Sequence, residues 1–189
     1  MTVRLDTFDN RWFARGRSAW IEAVWLAVQA ALVSSRLPGS AHRRWLLRLF
    51  GARIGTGVTI KPGVRVKFPW KLVVGDHTWL GEEVWIDNLE RVEIGANCCL
   101  SQGAYLCTGS HDWNVSGFDL ITRPIGIGDC AWIAAKSMVA PGVTIGEGAV
   151  LVMGSVATQD LEAWTIYQGV PAHAIRLRTK SGSHAGTKC

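Results

Sequence analysis

The sequence predicts an all-β solenoid, a parallel β-helix of about five coils with an N-terminal helical segment and a short C-terminal tail. Two observations predict it. An aliphatic residue followed by a small one recurs every six positions from Ile54 to about Gly169, as in Ile54-Gly55, Val74-Gly75, Leu80-Gly81 and Ile94-Gly95. The beat lapses once, after Leu106, and resumes at Ile127-Gly128, Ile133-Ala134, Val139-Ala140 and Ile145-Gly146. A hexapeptide period of this length is the signature of stacked coils, whereas a sandwich of ordinary strands would show strict alternation.

The first element, residues 1–53, reads as a helical cap. From Ala19 to Ser35 the chain is largely apolar, and Arg15, Ser18, Glu22, Gln29 and Arg36 fall at spacings of three, four, seven and seven, one narrow polar stripe on a helix. The uncharged stretch Ala23 to Ser35 has thirteen residues, too few to span a membrane. Polar residues precede it and Glu22 interrupts the apolar run, which disfavours a cleavable signal peptide. After Pro38-Gly39 comes Arg43, Arg44, Trp45, Leu46, Leu47, Arg48, Leu49, Phe50, an Arg/aromatic mixture of the kind found in interfacial helices. Two readings stay open: the helices hide the unpaired strand edges of the first coil, or they do so and also touch a membrane surface through residues 19–50.

The second element, residues 54–175, is the solenoid. Coils begin near Ile54, Val74, Ile94, Ile127 and Ile145, with extra residues after Val66 and Ile86. One aliphatic per hexad points inward, glycine sits at the bends, and coils stacked about 4.8 Å apart bury the apolar row continuously. The third element, residues 176–189, is a basic tail, disordered over Ser181 to Cys189.

Charge follows these divisions. Residues 1–53 carry a net charge of +6, residues 54–175 of −5 and residues 176–189 of +4, giving the overall +5. The acidic body argues against nucleic acid as a partner. Cys98, Cys99, Cys107, Cys130 and Cys189 are odd in number and show no Cys-x-x-Cys spacing, as expected of free thiols in a reducing, cytoplasmic setting and not of a zinc site.

Chemistry is expected where the beat breaks, in the loop 107–126, because long excursions from a rigid scaffold carry function. That loop holds a single histidine, His111, whose side chain suits proton transfer near neutral pH. Asp112 follows it and could hold a ring tautomer. Trp113 could stack a sugar ring, while Trp79, Trp85 and Trp132, each preceding an inward aliphatic, face outward.

The hexads, Thr108-Gly109-Ser110-His111-Asp112, Pro124-Ile125, Trp132-Ile133-Ala134-Ala135, Pro141-Gly142-Val143-Thr144-Ile145-Gly146 and Gly169-Val170-Pro171-Ala172 together resemble the hexapeptide-repeat acyltransferases. The likeness is to the branch that contains the galactoside, maltose and nodulation-factor acetyltransferases. Leu-Arg-Leu-Phe-Gly-Ala-Arg-Ile-Gly, ending at Gly55, with the apolar N-terminal helix, is most similar to the colanic acid biosynthesis acetyltransferases within it.

The resemblance implies a left-handed β-helix, a homotrimer with active sites between subunits, and acetyl-CoA as acyl donor. It implies His111 as general base for a saccharide hydroxyl, with Asn88, or Asp87 beside it, holding the acceptor, and Asp112 and Trp113 near the substrate. For the coenzyme it implies a wall of Ala135, Met153, Thr158 and Arg176, with Gln159 where relatives often carry Lys, and Arg178 and Lys180 as substitutes. The function expected is acetyl-CoA-dependent O-acetyl transfer to a saccharide in exopolysaccharide or glycan assembly, in the cytoplasm or peripherally on the inner face of the membrane. The alternatives are a non-catalytic trimeric scaffold and a zinc carbonic anhydrase-like protein, the latter disfavoured because the five histidines show no paired spacing.

Overall fold

Stacking equivalent hexads places each aliphatic residue above its counterpart in the coil before. In the computed structural model, which describes residues 2–179, the columns are seen on three faces. Ile54, Val74, Ile94, Ile127 and Ile145 are in parallel register on the first face. Ile60, Leu80, Leu100, Ile133, Leu151 and Tyr167 form the second column. The third runs Val66, Ile86, Leu106, Val139 and Ala157. One hydrophobic cluster follows these columns from the N-terminal helices to Ala172.

Three details differ from the sequence reading. A sixth, incomplete turn follows the five expected coils: Leu161 bridges to Ile145, and the strand Thr165–Gly169 pairs with Val150–Leu151. The hexad beat fades beyond Ala157, so this turn left little periodic signal. The strand Ala172–Leu177 then folds back antiparallel on Thr165–Gly169, carrying the solenoid past residue 175. The expected disorder of Ser181 to Cys189 lies outside the described residues.

Second, two residues per hexad point inward. Val58 with Ile60, and Val64 with Val66, are all buried. Each such side chain contributes about 1.5–3 kcal/mol when fully removed from water. Third, the glycine of the aliphatic-glycine pair on the first face answers close approach of coils. A Cβ on Gly75 would stand 2.5 Å from the Ala96 nitrogen in the next coil. The left-handed turn lies three residues after the aliphatic, as at Gly57 with φ 64°.

The first coil has no predecessor to pair with, and the N-terminal helices meet its open edge with polar side chains. Helix α1 spans Ala19–Val28, continues as a wider turn over Gln29–Val33, and is followed by α2, Ala41–Leu49. Arg48 donates to the carbonyls of Ile54 and Gly55, and Arg44 donates to that of Val58. Ser40 Oγ both accepts from the Ile60 N–H and donates to the Ile60 carbonyl. On the third face Trp25 Nε1 donates to the Val66 carbonyl at 2.8 Å, and Gln29 Oε1 accepts the Val66 N–H at 2.6 Å. Arg43 is fully buried and ties the C-terminal end of the α1 segment to α2 through the carbonyls of Val33, Ser35, Leu37 and Gly39. Arg44 and Arg48 of α2 therefore face the solenoid, and Arg43 faces the connection between the two helices.

Asp76 illustrates how coils are fastened at the turns. Its Oδ1 accepts the Thr56 N–H across the coil boundary at 2.7 Å, which holds the carboxyl below its ordinary range. A depressed folded-state pKa gives a contribution present above the unfolded pKa and lost as pH falls through the folded one. Asp76→Ala should therefore melt below the parent protein at neutral pH, with the difference narrowing progressively below about pH 4. Thermal melts across pH check this; an equal deficit at neutral and strongly acidic pH would refute it.

Candidate active site

The corner between the third and first faces carries every early insertion. Phe68, Asn88 and Thr108 each follow an inward residue by two and occupy successive levels of this corner. Asn88 is fully buried: Oδ1 accepts the Phe68 N–H at 3.0 Å, and Nδ2 donates to the Phe68 carbonyl at 2.7 Å. Through both ends of its amide Asn88 clamps two coils. Thr108 Oγ1 continues the column, donating to the Asp87 carbonyl and accepting the Glu90 N–H. Asp87 faces outward on the third face, where Lys67 Nζ lies 3.3 Å from Oδ1 and the Tyr105 hydroxyl donates to Oδ2 at 3.3 Å. Burial, with Cys107 and Asp87 nearby, pushes the Tyr105 phenol upward, so it stays a neutral donor.

Beyond Thr108 the chain leaves the coil. The expected loop contains an antiparallel hairpin, Gly109–His111 paired with Leu120–Thr122. Asp112 Oδ1 accepts the Asn114 N–H and the Asp112 N–H donates to the Asp119 carbonyl, so this carboxylate shapes the turn. The tautomer-holding role read for it falls to another group. His111 Nδ1 lies 2.8 Å from the Phe118 carbonyl oxygen. A carbonyl only accepts, so Nδ1 carries the hydrogen and the neutral ring keeps its lone pair on Nε2. The Phe118 ring stacks on the imidazole at 4.2 Å between centroids and 5° between planes, and Phe8 packs on it at 5.6 Å. Such ring contacts are worth about 0.5–1.5 kcal/mol each beyond burial. Neither phenylalanine had a signal in the sequence, since one lies seven residues downstream and the other over a hundred upstream.

A cavity of about 360 Å³ opens beside the ring, lined by Ser110, His111, Asp112, Trp113, Arg123 and Pro141 among others. Trp113 is 72 % exposed there, available for stacking. The structure thus brings together His111, Asp112 and Trp113. The expected coenzyme wall is elsewhere on the chain. Ala135 and Met153 hold equivalent positions one coil apart at one corner, linked by the Gly154 N–H to the Ala135 carbonyl. Met153 and Thr158 are exposed, and Arg176 is exposed on the returning strand opposite Ile166. Arg178 is committed to the solenoid, its Nη1 donating to the carbonyls of Cys130 and Gly148 at 2.9 Å each. Lys180 lies outside the described residues. Among the described residues no group of three or more His, Cys, Asp or Glu is placed to hold a metal ion.

No family model matches the chain. The colanic acid biosynthesis acetyltransferase WcaF of Escherichia coli (strain K12) is 43 % identical over 168 residues, covering 88 % of this chain and 92 % of that protein. The galactoside O-acetyltransferase of the same organism is 28 % identical over 138 residues, 71 % of this chain and 68 % of that one. Among solved structures, a hexapeptide-repeat acetyltransferase from Vibrio cholerae complexed with acetyl coenzyme A superposes with a TM-score of 0.78 at 25 % identity, covering 87 % of this chain and 92 % of that one.

The anchored ring makes a direct spectroscopic expectation. Nitrogen-15 spectra at neutral-ring pH should show His111 as the Nδ1–H tautomer, as the Phe118 carbonyl demands. A dominant Nε2–H form would contradict the hydrogen bond.

Proposed function

This chain belongs to the hexapeptide-repeat acetyltransferases, in the colanic acid biosynthesis branch, and on that premise we propose that it moves the acetyl group of acetyl-CoA to a saccharide hydroxyl with His111 as general base. Acetyl-CoA is the acyl donor of this acetyltransferase. The observation that carries the assignment of the base is the Phe118 carbonyl on Nδ1, which leaves Nε2 basic.

Nε2 removes the hydroxyl proton as the oxygen attacks the thioester carbonyl. Backbone N–H groups near Ala135 supply donors for the tetrahedral oxyanion. Collapse breaks the carbon–sulfur bond, and the imidazolium returns its proton to the departing thiolate. The partial positive charge of the imidazolium is met by the Phe118 carbonyl dipole. Trp113 and Asp112 border the substrate, Asp87 lies on the outer third face beside Lys67 and Tyr105, and Ala135, Met153, Thr158 and Arg176 form the coenzyme wall. Since the wall and His111 lie on separate parts of one chain, a homotrimer that juxtaposes the wall of one protomer with the hairpin of its partner completes the site.

His111→Ala should lower turnover by about 10²–10⁴-fold, the usual contribution of a general base, while calorimetry shows acetyl-CoA binding retained. Turnover at the parent rate would refute the assignment.

The second partner in this reading is a lipid surface, contacted from the cytoplasm. Among the described residues no helix is long and apolar enough to cross a membrane. Because Glu22 and Gln29, the polar residues of α1 and its continuation, turn inward, the outer side is apolar throughout: Trp20 is 75 % exposed and Leu26 51 %, with Ala23, Ala27, Ala30 and Leu32 exposed alongside. In a trimer with parallel solenoid axes, three such faces lie at one end and point the same way. The full chain should float with anionic liposomes, and Trp20→Gln with Leu26→Gln should abolish flotation without altering the melt; equal flotation of both would sink the membrane contact.

A further inference from the structure

The arginines around the first coils divide into two sets. Arg43, Arg44 and Arg48 each commit their guanidinium groups to backbone carbonyls. The side chains of Arg17 and Arg53 are exposed and form no ion pair or hydrogen bond among the described residues. The segment before α1 brings the two together. Trp70 Nε1 donates to the Arg15 carbonyl at 2.7 Å and Lys71 Nζ to that of Ala14 at 3.1 Å, and Arg17 Nη2 then lies 3.9 Å from where a Cβ on Gly51 would stand. Gly51 and Arg53 in turn line a recess of about 220 Å³ on the first face, with Lys71 and Arg91 on its far side. Because Leu72 pairs with Val92, Lys71 and Arg91 hold equivalent places one coil apart, and Gly51 is their counterpart in the first coil. Lacking a side chain there, the first coil leaves the recess open.

We propose that this recess binds a phosphate with free terminal oxygens, the phosphomonoester or diphosphate head of a membrane lipid, between Arg17, Arg53 and Arg91. The inference rests on the lipid contact proposed above and states which lipids that contact selects. Among the described residues none of the side chains lining the recess is acidic. Arg91 pairs with Glu93, but both side chains are 54 % exposed, and such a pair contributes little and is readily exchanged. The Lys71 ammonium is taken up by the carbonyls of Ala14 and Leu89, so it adds positive field and not a contact. Cations gathered without a carboxylate between them repel one another, and an anion relieves that repulsion. Guanidinium forks meet terminal phosphate oxygens two at a time, and a phosphomonoester carries about −1.5 to −2 charge, more than a phosphodiester.

The surroundings point to a lipid and not to a soluble phosphate. A shallow cleft of about 420 Å³ shares Arg53 and Val73 with the recess and continues over Ala52, Ile54 and Val74, an apolar track leading away from the cations. Helix α2 ends at Leu49, two residues before Gly51. While Arg44 and Arg48 face the solenoid, Trp45 and Leu49 turn outward, 61 % and 63 % exposed. A phosphate held by the arginines therefore has apolar surface at hand for the first carbons of its chain. Aromatic, aliphatic and arginine side chains in this mixture suit the boundary between head groups and acyl chains.

The test floats the full-length protein with phosphatidylcholine vesicles that carry either phosphatidic acid or phosphatidylglycerol at matched surface charge, while calorimetry follows inorganic pyrophosphate. The parent should bind the phosphatidic acid vesicles about tenfold more tightly than the phosphatidylglycerol ones, and pyrophosphate alone more weakly than either. Arg17→Lys with Arg53→Lys keeps the charge and removes the forks, so this variant should bind both kinds of vesicle alike, at the parent's phosphatidylglycerol level, with an unchanged melt. Equal binding of the two vesicles by the parent, or a preference that survives in the lysine variant, would overturn the phosphate site and leave the lipid contact in place. Pyrophosphate bound as tightly as the vesicles would overturn the lipid as the source of the phosphate. A parent protein that floats with no anionic vesicle would strike the lipid contact beneath the inference, and the inference with it.

Discussion

A parallel solenoid begins with three rows of backbone groups that no earlier coil can pair, and the rest of this molecule is arranged around satisfying them. Burying an unpaired carbonyl or N–H costs about 1–3 kcal/mol, so an apolar helix laid across the first coil would lose much of what its burial contributes. The chain instead presents Arg44, Arg48, Ser40, Trp25 and Gln29 to the three faces. Glu22 and Gln29, the polar residues of the α1 segment, thus lie on its inner side together with the buried Trp25 and Val33. An amphipathic helix on an ordinary core does the reverse.

That inversion has consequences in two directions. Outward, it leaves an apolar helical surface with Trp20 and Leu26 exposed, the surface on which the proposed lipid contact rests. Along the chain, it fixes where α1 starts, and therefore where residues 4–18 must run. They descend the insertion corner past Trp70 and Lys71 and reach the hairpin, placing Phe8 on the ring of His111. Capping at one end of the solenoid and shaping of the site at mid-height are the same constraint seen at two places.

At the site, stacking and hydrogen bonding act on a single imidazole. Phe118 contributes both its carbonyl and its ring, with a backbone in the left-handed region at φ 51°, an uncommon conformation for a bulky residue. The hairpin is held by ladder bonds and by the Asp112 turn, so the ring is oriented before any substrate arrives. Asn88, one coil earlier, contributes rigidity to the corner from which the hairpin departs.

The sequence by itself determined the periodic part. A sixfold aliphatic beat allows one packing, and the columns from Ile54 to Ala157 follow from it, as does the location of the excursion that carries His111. The arrangement that only the tertiary structure decided is aperiodic. The incomplete sixth turn at Leu161 and Tyr167, the carbonyl that holds His111 and the packing of Phe8 on its ring all depend on which backbone groups were left unpaired and on contacts across scores of residues. Asn88, Asp112 and Arg178 show the same limit. Residue type and spacing marked them as polar groups near the site, but whether a polar side chain serves a ligand or a neighbouring carbonyl is settled by which partner lies within hydrogen-bonding reach once the coils are stacked.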